Sequence, residues 1–136
     1  EDTFKARIKS GGFLEHAIVF GQRRYGTPRG PVEEHFQAGR SVVADLDVQG
    51  AAQVRASGIR TVLVFVFPPS LEELERRLRE RGTETEDAIQ ARLAELHAEC
   101  ARAGTFDYHL INNDLERCTE SLSAILRAER LRTYRS

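Results

Sequence analysis

The chain has 136 residues, enough for one ordinary domain with a sizeable core, or for one domain with a small excursion. Basic and acidic residues nearly cancel at 20 against 21, which argues against a general nucleic-acid binder. The absence of Met excludes a Met-rich groove, and no apolar run reaches membrane-spanning length. Nothing resembles a signal peptide. Cys100 and Cys118 share no close spacing motif and read as reduced thiols of a cytoplasmic protein. His97 with Cys100 falls short of a zinc ligand set, so no metal site built only from protein ligands is expected.

The opening residues, Glu1-Asp2-Thr3-Phe4, read as mid-domain sequence without an initiator Met, and a preceding segment is expected. Phe4 and Ile8 at i,i+4 spacing predict a short helix over 2–10, ended by Gly11-Gly12. Phe13–Phe20 reads as a strand whose apolar residues do not alternate cleanly, leaving its register open. Gly21–Gly26 is a turn or hairpin region, and 27–31 is a break in which Pro31 opens the next helix, 32–38. Gly39 stops that helix.

Ser41–Arg55, SVVADLDVQGAAQVR, is the most telling stretch. It predicts a buried parallel strand feeding a helix that runs to about residue 57, with Asp45 and Asp47 at the strand's C-terminal end, where open α/β sheets bind ligands. Alternation puts both carboxylates on one side. Like charges so close repel unless a cation or donor meets them. The plainer alternative makes both solvated acids, with Asp47 as a helix cap.

Arg60–Phe67 is a β-branched and aromatic run suited to a strand buried on both faces. Pro68-Pro69 stops it and Ser70 caps a helix over 71–81, with Leu71, Leu74 and Leu78 as its apolar stripe. Glu72/Arg76, Glu73/Arg77 and Glu75/Arg79 are i,i+4 pairs in the favourable order. After Gly82, Thr83–Glu86 reads as a helix start with a capping box. That helix runs to about Arg102, with Ile89, Leu93, Leu96 and Cys100 inward. Tyr108–Asn112 is a short strand. Asp114–Leu131 is a final helix with Leu115, Cys118, Leu122, Ile125 and Leu126 on one face, and its basic end, Arg127 to Arg135, suits the helix dipole. Strands alternating with helices predict α/β with a parallel sheet.

Several stretches together resemble the guanylate kinases of the nucleoside monophosphate kinase group. They are FLEHA at 13–17, YGTP at 25–28, DLDVQGAAQVR at 45–55, PPSLEELERRLRERGTETED at 68–87 and NND-L at 112–115. Their order and spacing match over essentially the whole chain. The resemblance implies a three-layer P-loop-kinase core with a parallel sheet, a small GMP-binding subdomain (here 1–30) and a helical lid at about 72–102 within a core of 31–136. The activity it implies is transfer of the γ-phosphoryl group of ATP, with Mg2+ as cofactor, to GMP, as monomer or homo-oligomer, with neither nucleic acid nor membrane as partner. The family's glycine-rich Lys-Ser loop, its first core strand and an upstream GMP-binding tyrosine do not occur in these residues. A fragment or a trimmed chain is therefore expected rather than a member that has lost catalysis, and the 136 residues alone are not expected to turn over.

Residue roles follow from the resemblance. Glu15 is the guanine reader, accepting from N1–H and the 2-amino group, both donors that adenine lacks. Tyr25 contacts the GMP phosphate, Thr27 contacts guanine O6, and Gly26 lets the backbone approach. Asp45 faces GMP and Asp47 acts through Mg2+ and water. Arg77, Arg81 and Arg92 are lid cations for the moving phosphoryl group, with Arg77 and Arg81 also toward ATP. Asn112 is an adenine or loop contact. Two departures stand out: Gln22-Arg23-Arg24 lengthens the hairpin tip, and His16 stands where the family often has Trp. The plainer readings are an exposed strand glutamate, a packed hairpin tyrosine and a solvated, salt-bridged arginine face. The competing function is a non-catalytic guanylate-kinase-like module that holds partner peptides. It would need neither the lid arginines nor the DLDVQG stretch.

Overall fold

Two units divide the chain, residues 1–61 and 62–136. The computed structural model describes residues 2–19 and 23–133 of them. It is a mixed α/β chain, and none of its described helices is long and apolar enough to cross a membrane.

In the first unit, helix α1 (Asp2–Lys9) ends where Gly11 takes a φ of 72°, a left-handed value that glycine adopts without strain. Strands β1 (Phe13–Val19) and β2 (Arg23–Pro28) pair antiparallel. Of the turn or hairpin expected over 21–26, residues 23–26 are strand, in keeping with the hairpin alternative, and Phe20–Gln22 lie outside the described residues. Register shifts between Phe13 and Glu15, so Leu14 is bulged out of the ladder. The bulge breaks the alternation at 13–15. Thr27 and Pro28 end β2 rather than forming a break, and α2 (Arg29–Gln37) begins at once. Pro31 sits in its first turn, where a missing N–H is harmless. Helix α3 (Val48–Ala56) buries Gly50 and Ala51.

The strand expected over 42–47 does not form. The sheet of this unit contains β1 and β2 only, and Val42 and Val43 are exposed. β-propensity expresses pairing and packing with neighbours, and no other described strand of this unit lies beside the run.

In the second unit, β3 (Val64–Phe67) and β4 (Tyr108–Ile111) pair in parallel, Val64 against Tyr108 and Phe67 against Ile111. The strand expected over 60–67 shortens to four residues. It is not buried on both faces either: Leu63 and Phe65 are buried, but Val66 is exposed, because a two-stranded sheet leaves flank uncovered. The Asp107 carboxylate accepts from Leu63 N–H at 2.8 Å, fixing where the ladder starts. Phe65 packs its ring against Phe67 and Phe106, with centroids 4.7 and 5.2 Å apart.

Helix α4 (Leu71–Arg81) is capped by Ser70, whose hydroxyl accepts from Glu73 N–H at 2.9 Å, and it ends at Gly82 with a φ of 62°. Helix α5 (Glu86–Ala101) is capped by Thr85. Leu78, Ile89 and Leu93, with Leu74 against them, form the core between these two helices. A short 3-10 turn, Ala103–Thr105, leads into β4. Helix α6 (Leu115–Leu131) is capped by Asp114, which accepts from Glu116 and Arg117 N–H. Leu115, expected inward, is 76% exposed. A stripe of apolar spacing says which face is apolar, not how far along it a neighbour reaches.

Candidate functional site

The first unit brings Thr27 and Gly50 against one carboxylate, that of Glu15, and the cap residue Asp47 to the same Gly50. Glu15 is the buried charged residue of the described chain, only 6% exposed. A regular strand would turn alternate residues to opposite faces, yet Leu14 and Glu15 are both buried. The bulge at Leu14 allows it, re-aiming the side chain that follows. Glu15 stands opposite Thr27 across the ladder, and the Thr27 hydroxyl donates to Glu15 Oε1 at 2.6 Å. Glu15 Oε2 lies against Gly50, where a Cβ would meet it at 3.0 Å and Asp47 Oδ1 at 3.2 Å. Gly50 thus leaves a slot for a carboxylate. Asp47 caps α3, its Oδ1 accepting from Gly50 N–H at 2.7 Å. The cap that the plainer reading expected is present, and it engages one of the two Asp47 oxygens.

Gly26 has an equally specific cause. A Cβ there would come within 2.6 Å of the Phe13 ring. Phe13 stacks in turn on Phe4 at 4.9 Å, His16 meets Phe4 edge-on at 6.5 Å, and the Arg24 guanidinium lies 5.9 Å over the Phe4 ring. His16 therefore fills an aromatic position in this small cluster. Tyr25, opposite Ala17, is 52% exposed and not packed as a core tyrosine. Asp45 is exposed in the irregular segment before α3. The side chain of Arg23 and the whole of Gln22 lie outside what is described.

Gln53 was not singled out from the sequence. Its side-chain amide makes two hydrogen bonds with the backbone of His16, accepting from the N–H and donating to the C=O, each at 2.9 Å. The amide acts as a one-residue strand partner and ties α3 to the outer side of β1. The only signal for it was a polar residue in the helix that follows the DLDVQG run.

The second unit carries the three arginines. Arg77 pairs with Glu73 at 2.8 Å and Arg92 with Glu84 at 2.7 Å. Arg81 is exposed and makes no ion pair among the described residues. Glu75/Arg79 forms as the spacing predicts, whereas Arg76 turns to Glu80 and Glu73 instead of Glu72. Arg79 also reaches Glu86 at the start of α5. Hydrogen bonds from Glu86 and then Glu75 raise the pKa of Arg79, and Arg79 in turn lowers that of Glu86. A cleft of about 360 Å³ lies where β4 ends and α6 begins, lined among others by Ile111, Asn113, Asp114 and Arg117. Asn112 is exposed beside it, its N–H donating to Phe67 C=O at 2.9 Å. Among the described residues no group of three or more His, Cys, Asp or Glu could hold a metal ion.

Comparison with known proteins gives a consistent set of likenesses. The Guanylate kinase family model matches residues 1–129. The chain is similar to the guanylate kinase of Sphingopyxis alaskensis, 51% identical over 98% of this chain and 61% of the relative. It is similar to that of Zymomonas mobilis at 47%, over 98% and 62%. Its fold is similar to the crystal structure of guanylate kinase from Anaplasma phagocytophilum, with a TM-score of 0.79 and 34% identity, over 98% of this chain and 64% of that one. The chain spans 61% and 62% of the lengths of these two relatives.

Proposed function

The chain belongs to the guanylate kinase family, and from that premise we propose that the protein carrying it transfers the γ-phosphoryl group of ATP to GMP. An oxygen of the GMP phosphate attacks the γ-phosphorus, the bond to the β-phosphate oxygen breaks, and ADP and GDP leave. No covalent intermediate forms on the protein, so the residues act by position and charge. Residues 1–30 form the GMP side and the helical pair within 72–102 the lid. The setting is the cytoplasm, and no nucleic acid or membrane is involved.

The observation that carries this reading is the buried Glu15 carboxylate. A buried acid needs donors. Thr27 supplies one to Oε1, and guanine N1–H and the 2-amino group supply the others; adenine, lacking both, leaves the acid short. A threonine hydroxyl has one proton. While that proton goes to Glu15, Thr27 orients the carboxylate, and its contact with guanine O6 requires the hydroxyl to turn. Tyr25, exposed and adjoining Gly26, serves the GMP phosphate, and Asp45 faces the same nucleotide. Arg77, Arg81 and Arg92 neutralise charge on the moving group, and Asn112 meets the adenine end.

Mg2+ brought by ATP would supply positive charge against the phosphates. The chain fits a metal brought by the nucleotide, because Asp47 keeps one carboxylate oxygen outside its cap for a metal-bound water. The sequence has no glycine-rich Lys-Ser loop, so the 136 residues alone do not turn over.

The test is thermal stabilisation of the intact protein by GMP and by AMP, with Glu15→Gln beside it. GMP stabilises the wild type far more than AMP does. The substitution weakens GMP binding about a hundredfold, the factor set by charge-assisted hydrogen bonds. Equal shifts with the two nucleotides in the wild type overturn the reading.

A further inference from the structure

We propose that Gln53 is a positioning residue for purine selection, holding the Glu15 carboxylate in place through the backbone of β1; the inference rests on the reading of Glu15 given above. Glu15 owes its burial to a bulge, and a bulge leaves the ladder locally disrupted, so contacts on the strand's other edge add to its hold there. One edge is held by β2, through Thr27 opposite Glu15. The other faces α3. There the Gln53 amide takes both the N–H and the C=O of His16, the residue directly after Glu15, at 2.9 Å each.

Two bonds to one residue, made to the peptide units on either side of its Cα, fix rotation as well as distance. Gln53 lies one turn beyond Gly50, the residue whose missing Cβ leaves room for Glu15 Oε2. The same helix therefore provides the slot for the carboxylate and the clamp that keeps the strand in register with it. A shorter side chain at 53 cannot span the gap, and an apolar one spans it without bonding. In either case the His16 N–H and C=O lose their partner and Glu15 gains freedom in the slot.

The experiment measures Kd for GMP, AMP and ATP by calorimetry on the intact protein, as wild type, Gln53→Ala and Gln53→Met. Methionine keeps the length and the helix propensity of glutamine while removing both hydrogen bonds. All titrations run well below the melting temperature of each variant. The expected result is a GMP Kd raised about tenfold in both variants, with AMP and ATP unchanged, so that the ratio of GMP to AMP affinity falls by the same factor. A clamp that serves only stability would lower the melting temperature and leave that ratio alone. A GMP-selective wild type with unchanged ratios in both variants overturns this inference and leaves the reading of Glu15 standing. A wild type that binds GMP and AMP alike overturns both. Failure of both variants to fold also overturns it, since the clamp then holds the fold rather than the carboxylate.

Discussion

Replacing Gly50 with alanine tests the slot directly. At an ordinary helix position the change is favourable, by about 1 kcal/mol on helix propensity. Here the added methyl would stand 3.0 Å from Glu15 Oε2 and 3.2 Å from Asp47 Oδ1, against ordinary contact distances of 3.4 Å and beyond. Glu15 must withdraw by about 0.4 Å, the difference between these values. It is held while doing so, because its other oxygen accepts from Thr27 at 2.6 Å. Asp47 is likewise tied by the cap bond it makes to residue 50 itself. Overpacking of this kind costs about 1–3 kcal/mol, so the propensity gain is cancelled or reversed. The expected outcome is a protein of equal or lower stability to urea, by up to about 2 kcal/mol. GMP affinity falls with it, while ATP affinity is kept. A variant that is more stable by the full propensity gain and binds GMP as before would show that the slot has room, and the steric argument would be refuted.

Two further outcomes follow from described contacts. Asp47→Asn keeps a good N-cap and should leave stability within about 0.5 kcal/mol, whereas Asp47→Ala should lose about 1 kcal/mol. If both abolish turnover of the intact protein equally, charge and not the cap is what catalysis uses, and an active Asn variant would refute the water-orienting role. Burial raises the pKa of the Cys100 thiol above its ordinary value, and the charge of Glu99 adds to this. With the folded value raised, the thiol holds its proton longer than in the unfolded chain, so this contribution to stability is full at neutral pH and fades as pH climbs past the ordinary thiol range. Iodoacetamide at pH 8 should alkylate Cys100 more slowly in the folded protein than in urea, followed by mass spectrometry; equal rates would contradict the burial effect.

The helices were legible in the sequence because their end signals are local. Ser70 and Gly82 cap where the residue types predict, whereas α5 is capped by Thr85 rather than by the Thr83 of the expected capping box, and Asp114, read as the first helical residue, is the cap of α6. The strands were less so, since a strand is defined by what lies beside it. Val42–Ala44 has the right composition but no described strand of its own unit beside it, and the run to Phe67 is strand only where β4 pairs with it. At the candidate site, Glu15 was legible only through resemblance, because nothing local distinguishes it from a solvated strand glutamate. The bulge that buries it left a trace only in the broken alternation of 13–15. Gln53 left only its polarity within the helix after DLDVQG, because its partner is the backbone of a residue 37 positions away, and a main chain has no letter of its own.

The three arginines of the second unit do not start from the same state. Arg77 and Arg92 each rest on a glutamate, and Arg81 pairs with none among the described residues. On the proposed reading, a phosphate entering the lid swaps one anion for another at the first two and adds an anion at the third. Screening by salt weakens the old and the new partner alike in a swap, so those two contributions nearly cancel with ionic strength. Arg81 has no such compensation. Nucleotide affinity should therefore decline with salt with the slope of a single cation rather than three.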